Sequence, residues 1–168
     1  MTAGPELFRF ADDGSIPNNP RLPVLLFRAA LPPGDPTAAE ALFAAHGWPP
    51  AWRNGIYPYH HYHPDAHEAL AIARGTVRVM LGGEGGKALD LAAGDVVVLP
   101  AGVGHRNLGA SADLLVVGAY PAGQLPTEHR GRPGEHARAV RRIAQVPDPA
   151  RDPVLGRAWP REGPRAGM

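Results

Sequence analysis

The stretch Gly55-Ile-Tyr-Pro-Tyr-His60-His-Tyr-His63-Pro-Asp-Ala-His67-Glu68 decides how this chain is read. It crowds four histidines and a carboxylate into a few residues. Along an extended strand side chains alternate, so His61 and His63 share one face with Tyr57 and Tyr59, while His60 and Tyr62 face the other way. Two imidazoles on one strand face form half of a metal site. Glu68 follows a Pro-Asp turn signal, so a return strand can aim it at the same spot. Imidazole with carboxylate suits a first-row divalent metal better than Mg²⁺ or Ca²⁺, which prefer all-oxygen shells. His67 competes with Glu68 for that place. Its opposite parity disfavours it unless a bulge shifts the register.

A further ligand is offered by His105, in Gly94-Asp-Val-Val-Val-Leu-Pro100-Ala-Gly102-Val-Gly-His105. This is a short apolar run, a Pro/Gly turn, then a histidine opening the next strand. Here the sequence resembles the cupin superfamily. Gly55, His61, His63, Glu68 and Gly75 match every position of the first cupin motif. Gly94, Pro100, Gly102 and His105 match the second, whose closing Asn is replaced by Gly109, with Asn107 two residues early. The motifs cover residues 55–109. Pro17-Asn-Asn-Pro20, Val117-Gly-Ala-Tyr-Pro121 and Asp152-Pro-Val154 extend the likeness toward the YjlB-like bacterial single-domain cupins. The resemblance implies an all-β fold, the cupin double-stranded β-helix or jelly-roll barrel, with one or two short flanking helices. It implies metal ligation by His61, His63, Glu68 and His105. The metal would be a divalent transition ion, one of Fe, Mn, Ni, Zn or Co. It further implies RmlC-like architecture and dimers.

A chain of 168 residues is one domain's worth. Its expected parts are N-terminal strands and a helix packing on the barrel (1–50), the cupin core (51–122), and a C-terminal arm with a short helix (123–168). Apolar content of 44% and charged content of 20% are ordinary for a globular protein. The 21 glycines and 20 prolines fall between apolar runs, where an all-β fold needs turns. Net charge of +1 gives no pull toward nucleic acid or membrane. The absence of cysteine excludes disulfides and a thiol nucleophile and fits a reducing cytoplasm. No apolar signal core or membrane-length run occurs, so a cytoplasmic location is expected.

In chain order, Leu7–Phe10 alternates as an edge strand and Val24–Arg28 reads as a buried one. Both are apolar enough to need a covering surface, and a homodimer joined through this arm is expected. Asp12–Ser15 and Pro17–Pro20 are turn clusters. Asp35 caps a helix with Pro36 at its first position, or Thr37 caps it with Glu40 closing the box. Gly47 stops it. Ala38, Ala41, Leu42 and Ala45 are its expected inner face. Trp48 and Trp52 read as packing around Pro49-Pro50. Strands at 68–75, 76–81, 88–91, 96–99, 105–108 and 114–117, with turns between, indicate a sandwich or barrel. Gly82–Gly86 with Lys87 fails the phosphate-loop pattern at Leu81 and Ala88 and reads as a hairpin. Residues 134–143 form a second short helix with Ala137, Val140 and Ile143 inward. Nine of the sixteen arginines fall between Arg130 and Arg165 without aromatic interleaving, which reads as a solvated, ion-pairing tail.

Other catalytic schemes are absent. Ser15 and Ser111 are the chain's serines and neither lies in a nucleophile elbow. Chemistry therefore falls to the metal. The expected activity is a metal-dependent oxygenase or isomerase acting on a small organic molecule, with Glu68 and Tyr59 as candidate catalytic residues; Tyr59 packs as outer support for the metal ligands or, as the lesser reading, orients substrate through its hydroxyl. The alternative is a non-catalytic cupin that uses the metal structurally or to hold a ligand. Fold alone does not choose between them.

Overall fold

The computed structural model describes residues 4–161. Its elements are β1 (Glu6–Phe8), β2 (Val24–Phe27), α1 (Pro36–Ala45), β3 (Pro50–Asn54), β4 (Glu68–Arg74), β5 (Thr76–Leu81), β6 (Lys87–Ala92), β7 (Val96–Leu99), β8 (His105–Ala110), β9 (Leu115–Ala119) and α2 (His136–Gln145). They build two antiparallel sheets, one of six strands in the order β1-β2-β7-β4-β9-β3, the other β6-β5-β8. Leu26, Leu70, Ile72, Val77, Val79 and Val97 fill the space between the sheets. The six-stranded sheet is also covered on its outer face, where Leu25, Phe27, Val96, Val98 and Val117 meet Phe43, Trp48 and Trp159. Burial on both faces explains why β2 and β7 are unbroken apolar runs. β5, covered on one face only, alternates instead.

Asp35 caps α1, its carboxylate accepting the Ala38 N–H (3.0 Å), with Pro36 in the first turn. Gly47, just past the helix, has φ 84°. The buried face differs from the alanine stripe expected. Pro36, Ala39 and Phe43 are buried, whereas Ala41 and Ala45 are exposed. Phe43 offers far more apolar area than any alanine, so the helix rotates to bury it. In α2, Ala139 and Ile143 are buried while Ala137 and Val140 face out. Here the contact sets the rotation. Ile143 sits directly on Gly102, where an added Cβ would lie 2.5 Å from its Cδ1.

The N-terminal arm folds onto its own barrel. β1 pairs with β2, and β2 with β7. Leu7 and Phe8 are buried within one chain. The turn cluster beyond it is a buried clamp. Asn18, at φ 56°, donates from Nδ2 to Ala11 O and Gly82 O and accepts the Gly104 N–H. Asn19 donates to Ala101 O and accepts from Arg21 N and Leu22 N. Both side chains thus grip the 100–104 turn that leads into β8. Only glycine fits at 102, where φ is 93° and a Cβ would lie 2.6 Å from Asn18 O.

His67 is buried on the outer side of β4. Its Nδ1 accepts the Ala101 N–H (2.9 Å), so Nε2 carries the proton and donates to Pro147 O (3.1 Å). The C-terminal segment is tied down as well. Trp159 donates to Pro23 O, and Arg21 and Arg161 both pair with Asp148. Arg130 pairs with Glu128 and Arg142 with Asp65, so part of the arginine-rich arm does form ion pairs. No helix among the described residues is long and apolar enough to cross a membrane.

Asn18→Ala removes three hydrogen bonds, two of them buried, and leaves alanine in a left-handed conformation, so a loss of about 3 kcal/mol is expected in urea unfolding. A loss under ~0.5 kcal/mol, the range of surface substitutions, would show that the clamp does not hold the arm. Burial holds the His67 imidazolium down to about pH 4, against 6.5 for the free group. The unfolded chain therefore takes up that proton first. Stability should be full above pH 6.5 and fall by about 3 kcal/mol as pH drops toward 4. His67→Gln should remove about that much of the fall and leave the part that His61, also held down by burial, contributes in metal-free protein, measured by urea unfolding at each pH in the presence of chelator.

Candidate metal centre

Residues 55–67 do not form the continuous strand that alternation suggested. After β3 ends at Asn54 the chain crosses the barrel mouth as a loop, touching its neighbours through two single-residue bridges, His61 to His105 and Tyr62 to His129. Pro58 and Pro64 bracket these bridges and cannot donate to a ladder. Where the bridges lie, alternation holds. His61 is buried toward the interior, and Tyr62 is buried on the other side, stacked on His129. The second bridge partner, His105, opens β8 and exchanges both backbone hydrogen bonds with His61 (2.9 and 3.1 Å). Glu68 opens β4 opposite Leu99, on the face that Leu70 and Ile72 turn to the inner core.

His61, His63 and His105 bring one ring nitrogen each within 4.8 Å of one another. Glu68 Oε1 lies 3.1 Å from His105 Nε2 and 3.5 Å from His63 Nε2. The far side of each ring fixes its tautomer. Nδ1 of His61 faces Tyr59 O (3.0 Å), that of His63 faces Thr127 O (2.8 Å), and that of His105 faces Val103 O (3.1 Å). A carbonyl only accepts, so every Nδ1 carries a proton and every Nε2 points into the centre. This hydrogen-bond assignment is the outer support typical of ligating histidines. Thr127 is itself held. Asp65 accepts its N–H (2.8 Å) and its hydroxyl (2.7 Å) and pairs with Arg142 (3.0 Å).

The charges are those of a cation site. Glu68 is 3% exposed, and its Oε1 has no hydrogen-bond partner among the described residues. Burial opposes its ionisation, yet His63 and His105 hold its carboxyl well below the usual carboxylate range. Burial also disfavours a charge on His63, but Glu68 overrides this and raises it to about 9. His61 is pushed down to about 3 by burial and by His105. Near neutral pH the charged His63 is thus the counter-ion that the buried carboxylate requires. A divalent ion among the Nε2 atoms and Glu68 Oε1 would displace that proton and take over its role. Mixed imidazole and carboxylate donors fit a first-row transition metal.

These groups form the floor of a cavity of about 470 Å³ walled by Trp52, Ile56, Tyr57, Leu70 and Tyr120. Tyr59 does not line it. Its hydroxyl accepts from Arg130 (2.8 Å), whose guanidinium also lies 3.7 Å over the ring, so the expected orienting role has no geometric basis. Tyr120 stands in that place instead. Its hydroxyl accepts the Trp52 Nε1–H (2.9 Å), its ring meets His63 edge-on, and burial, with Glu68 nearby, pushes its phenol up. Sequence reasoning missed Tyr120 and gave Trp52 only a packing role. The available signal was Gly118, where a Cβ would fall 2.0 Å from the Trp52 ring. Of the remaining histidines, His60 lies half-buried away from the centre, His46 meets Pro153 O, and His129 and His136 pair with Glu135 and Asp12.

The cupin domain family matches residues 53–118, a segment that contains all four donors. The chain is 42% identical over 155 residues to YjlB of Bacillus subtilis, covering 92% of this chain and 93% of that one. Among solved structures, a DUF861 family protein from Thermotoga maritima is 26% identical, with 42% of this chain and 75% of that one covered and a TM-score of 0.31. DMSP lyase DddQ from Ruegeria pomeroyi is 20% identical, with 68% and 45% covered and a TM-score of 0.37. Oxalate decarboxylase from Bacillus subtilis is 19% identical, with 66% and 24% covered and a TM-score of 0.34. The chain thus spans less than half the length of the last two. The near end-to-end identity with YjlB and the domain match over the four donors together mean that this chain belongs to the cupins, as a YjlB-like bacterial member.

Proposed function

We propose that this protein is a metal-dependent enzyme of the oxygenase or isomerase class. It holds a divalent transition metal through His61, His63, His105 and Glu68 and acts on a small organic molecule in the cavity above. One observation carries the reading. Three imidazole nitrogens lie together with their opposite sides already fixed by carbonyls, and the buried Glu68 Oε1 is 3.1 and 3.5 Å from two of them. When bound, the metal supplies a Lewis-acidic position and, for redox-active ions, electron transfer. The chain's own residues do the rest. Ile56 and Leu70 help to keep water from the floor, and Tyr120 offers a hydroxyl beside Glu68 to a ligand oxygen. A structural metal is closed off by protein atoms, whereas here the centre opens on a cavity, which favours catalysis over the ligand-holding alternative. The test is elemental analysis of protein purified without chelator, then turnover of the loaded protein on diketones, thiols, phenols and keto-sugars. A metal-free protein that takes up no added metal would sink the proposal.

His61→Ala is expected to lose most bound metal, because one of four donors goes and the remainder bind far more weakly. His60→Ala should retain it, since that ring lies away from the centre. Equal loss in both variants would contradict the arrangement of this loop. Near pH 7 Glu68 keeps a proton on His63, and a metal must displace it. Binding should therefore release roughly one proton and tighten as pH rises toward 9. Calorimetry in two buffers of different ionisation enthalpy measures that number. Zero release would show that the metal-free centre holds no such proton.

A further inference from the structure

The cavity's charge is as informative as its shape. Among the described residues no lysine or arginine lines it, and its charged side chains are the Glu68–His63 pair on the floor and Glu128 near the mouth. The arginines around the mouth are all committed elsewhere. Arg53, next to Trp52, is paired with Glu40 (2.7 Å). Arg106 donates to Pro58 O (3.0 Å), and Arg130 is folded over Tyr59 and paired with Glu128 (3.4 Å). A ligand entering this space therefore meets no free cation at the mouth or the walls, and net positive charge arises only at the floor, once metal is bound there. A second anionic group on the ligand would be left without a counter-ion in a largely apolar space.

The walls add a shape requirement. Trp52 is locked by its hydrogen bond to Tyr120, and Tyr57 is stacked on Tyr59 with ring centres 5.1 Å apart and planes 9° from parallel. Fixed aromatic rings around about 470 Å³ favour a compact, flat body. Four protein donors leave two positions on a six-coordinate ion, which suits two neighbouring ligand oxygens.

We infer that the substrate class is a small, flat hydroxyketone or diketone, neutral or singly charged, and not a dicarboxylate or phosphorylated compound. This rests on the metal reading above and is tested so that the two can fail separately. The full chain is first titrated with Co²⁺ and followed by its visible spectrum. Maltol, a flat hydroxyketone that binds a divalent ion as its monoanion and gives up its hydroxyl proton to the buffer, and malonate, a dianion, are then titrated into the loaded protein at one fixed pH. Each affinity is divided by the same compound's affinity for free Co²⁺ at that pH, so that chelating strength and the proton released cancel. Maltol's ratio is expected to exceed malonate's by at least about tenfold, the scale of one uncompensated charge. Glu128→Gln should raise malonate's ratio about threefold or more and leave maltol's within about twofold, because it frees the Arg130 guanidinium, which favours the dianion over the monoanion. Failure to take up cobalt overturns the metal reading and this inference with it. Uptake followed by equal or better binding of malonate overturns this inference alone, as does a Glu128→Gln variant that shifts both compounds equally.

Discussion

Three backbone carbonyls, of Tyr59, Val103 and Thr127, hold three imidazoles so that their Nε2 atoms converge, two of them 3.1 and 3.5 Å from one buried carboxylate. The site depends on this arrangement. Without the carbonyls each ring could turn or change tautomer, and Glu68 would face no ordered imidazoles. With them, the centre is a preformed cluster of the kind that can hold a metal ion. The carbonyls belong to three separate segments, so holding them in register occupies much of the fold.

That burden explains where the polar side chains are buried. Asn18 and Asn19 brace the turn that supplies Val103 O and His105. Asp65 braces Thr127, and Arg142 braces Asp65. His67, next in sequence to the Glu68 ligand, faces outward and fastens Pro147 to the same turn. His67 and Glu68, neighbours at the start of β4, thus face opposite ways, one bracing the fold and the other turned to the histidine cluster. A composition-level reading could not separate them, but their hydrogen-bond partners do.

Much of this was legible in the sequence, and the boundary of legibility has a physical cause. Spacing within motifs survives folding because local backbone geometry sets it. His61, His63 and His105 come together, Glu68 lies against two of them, and the strands from 68 to 119 lie near their expected limits. Features decided by packing between distant segments were not legible. The rotation of α1 follows from Phe43, and that of α2 from the seat of Ile143 on Gly102. The stretch before Glu68 is a bridged loop because it must reach both β8 and the C-terminal arm. Tyr120 takes the place beside the centre that Tyr59 was expected to fill, since Arg130 draws Tyr59 away. Asn107 shows the middle case. The motif asparagine at 109 is absent, yet Asn107 donates to Ile56 O and accepts the Gly109 N–H at a bulge in β8, so it ties the same loop from two residues earlier.

The bond from His63 to Thr127 O has a temporal side. All four donors have been synthesised once the chain reaches His105, but the acceptor that aligns His63 comes later, and Arg142, which steadies Asp65 beneath it, later still. A nascent chain leaving the ribosome therefore carries a complete set of donors before it can aim them. If the centre takes a metal as proposed, correct capture becomes an event of the finished polypeptide, and an ion caught earlier would meet a looser, less selective grip.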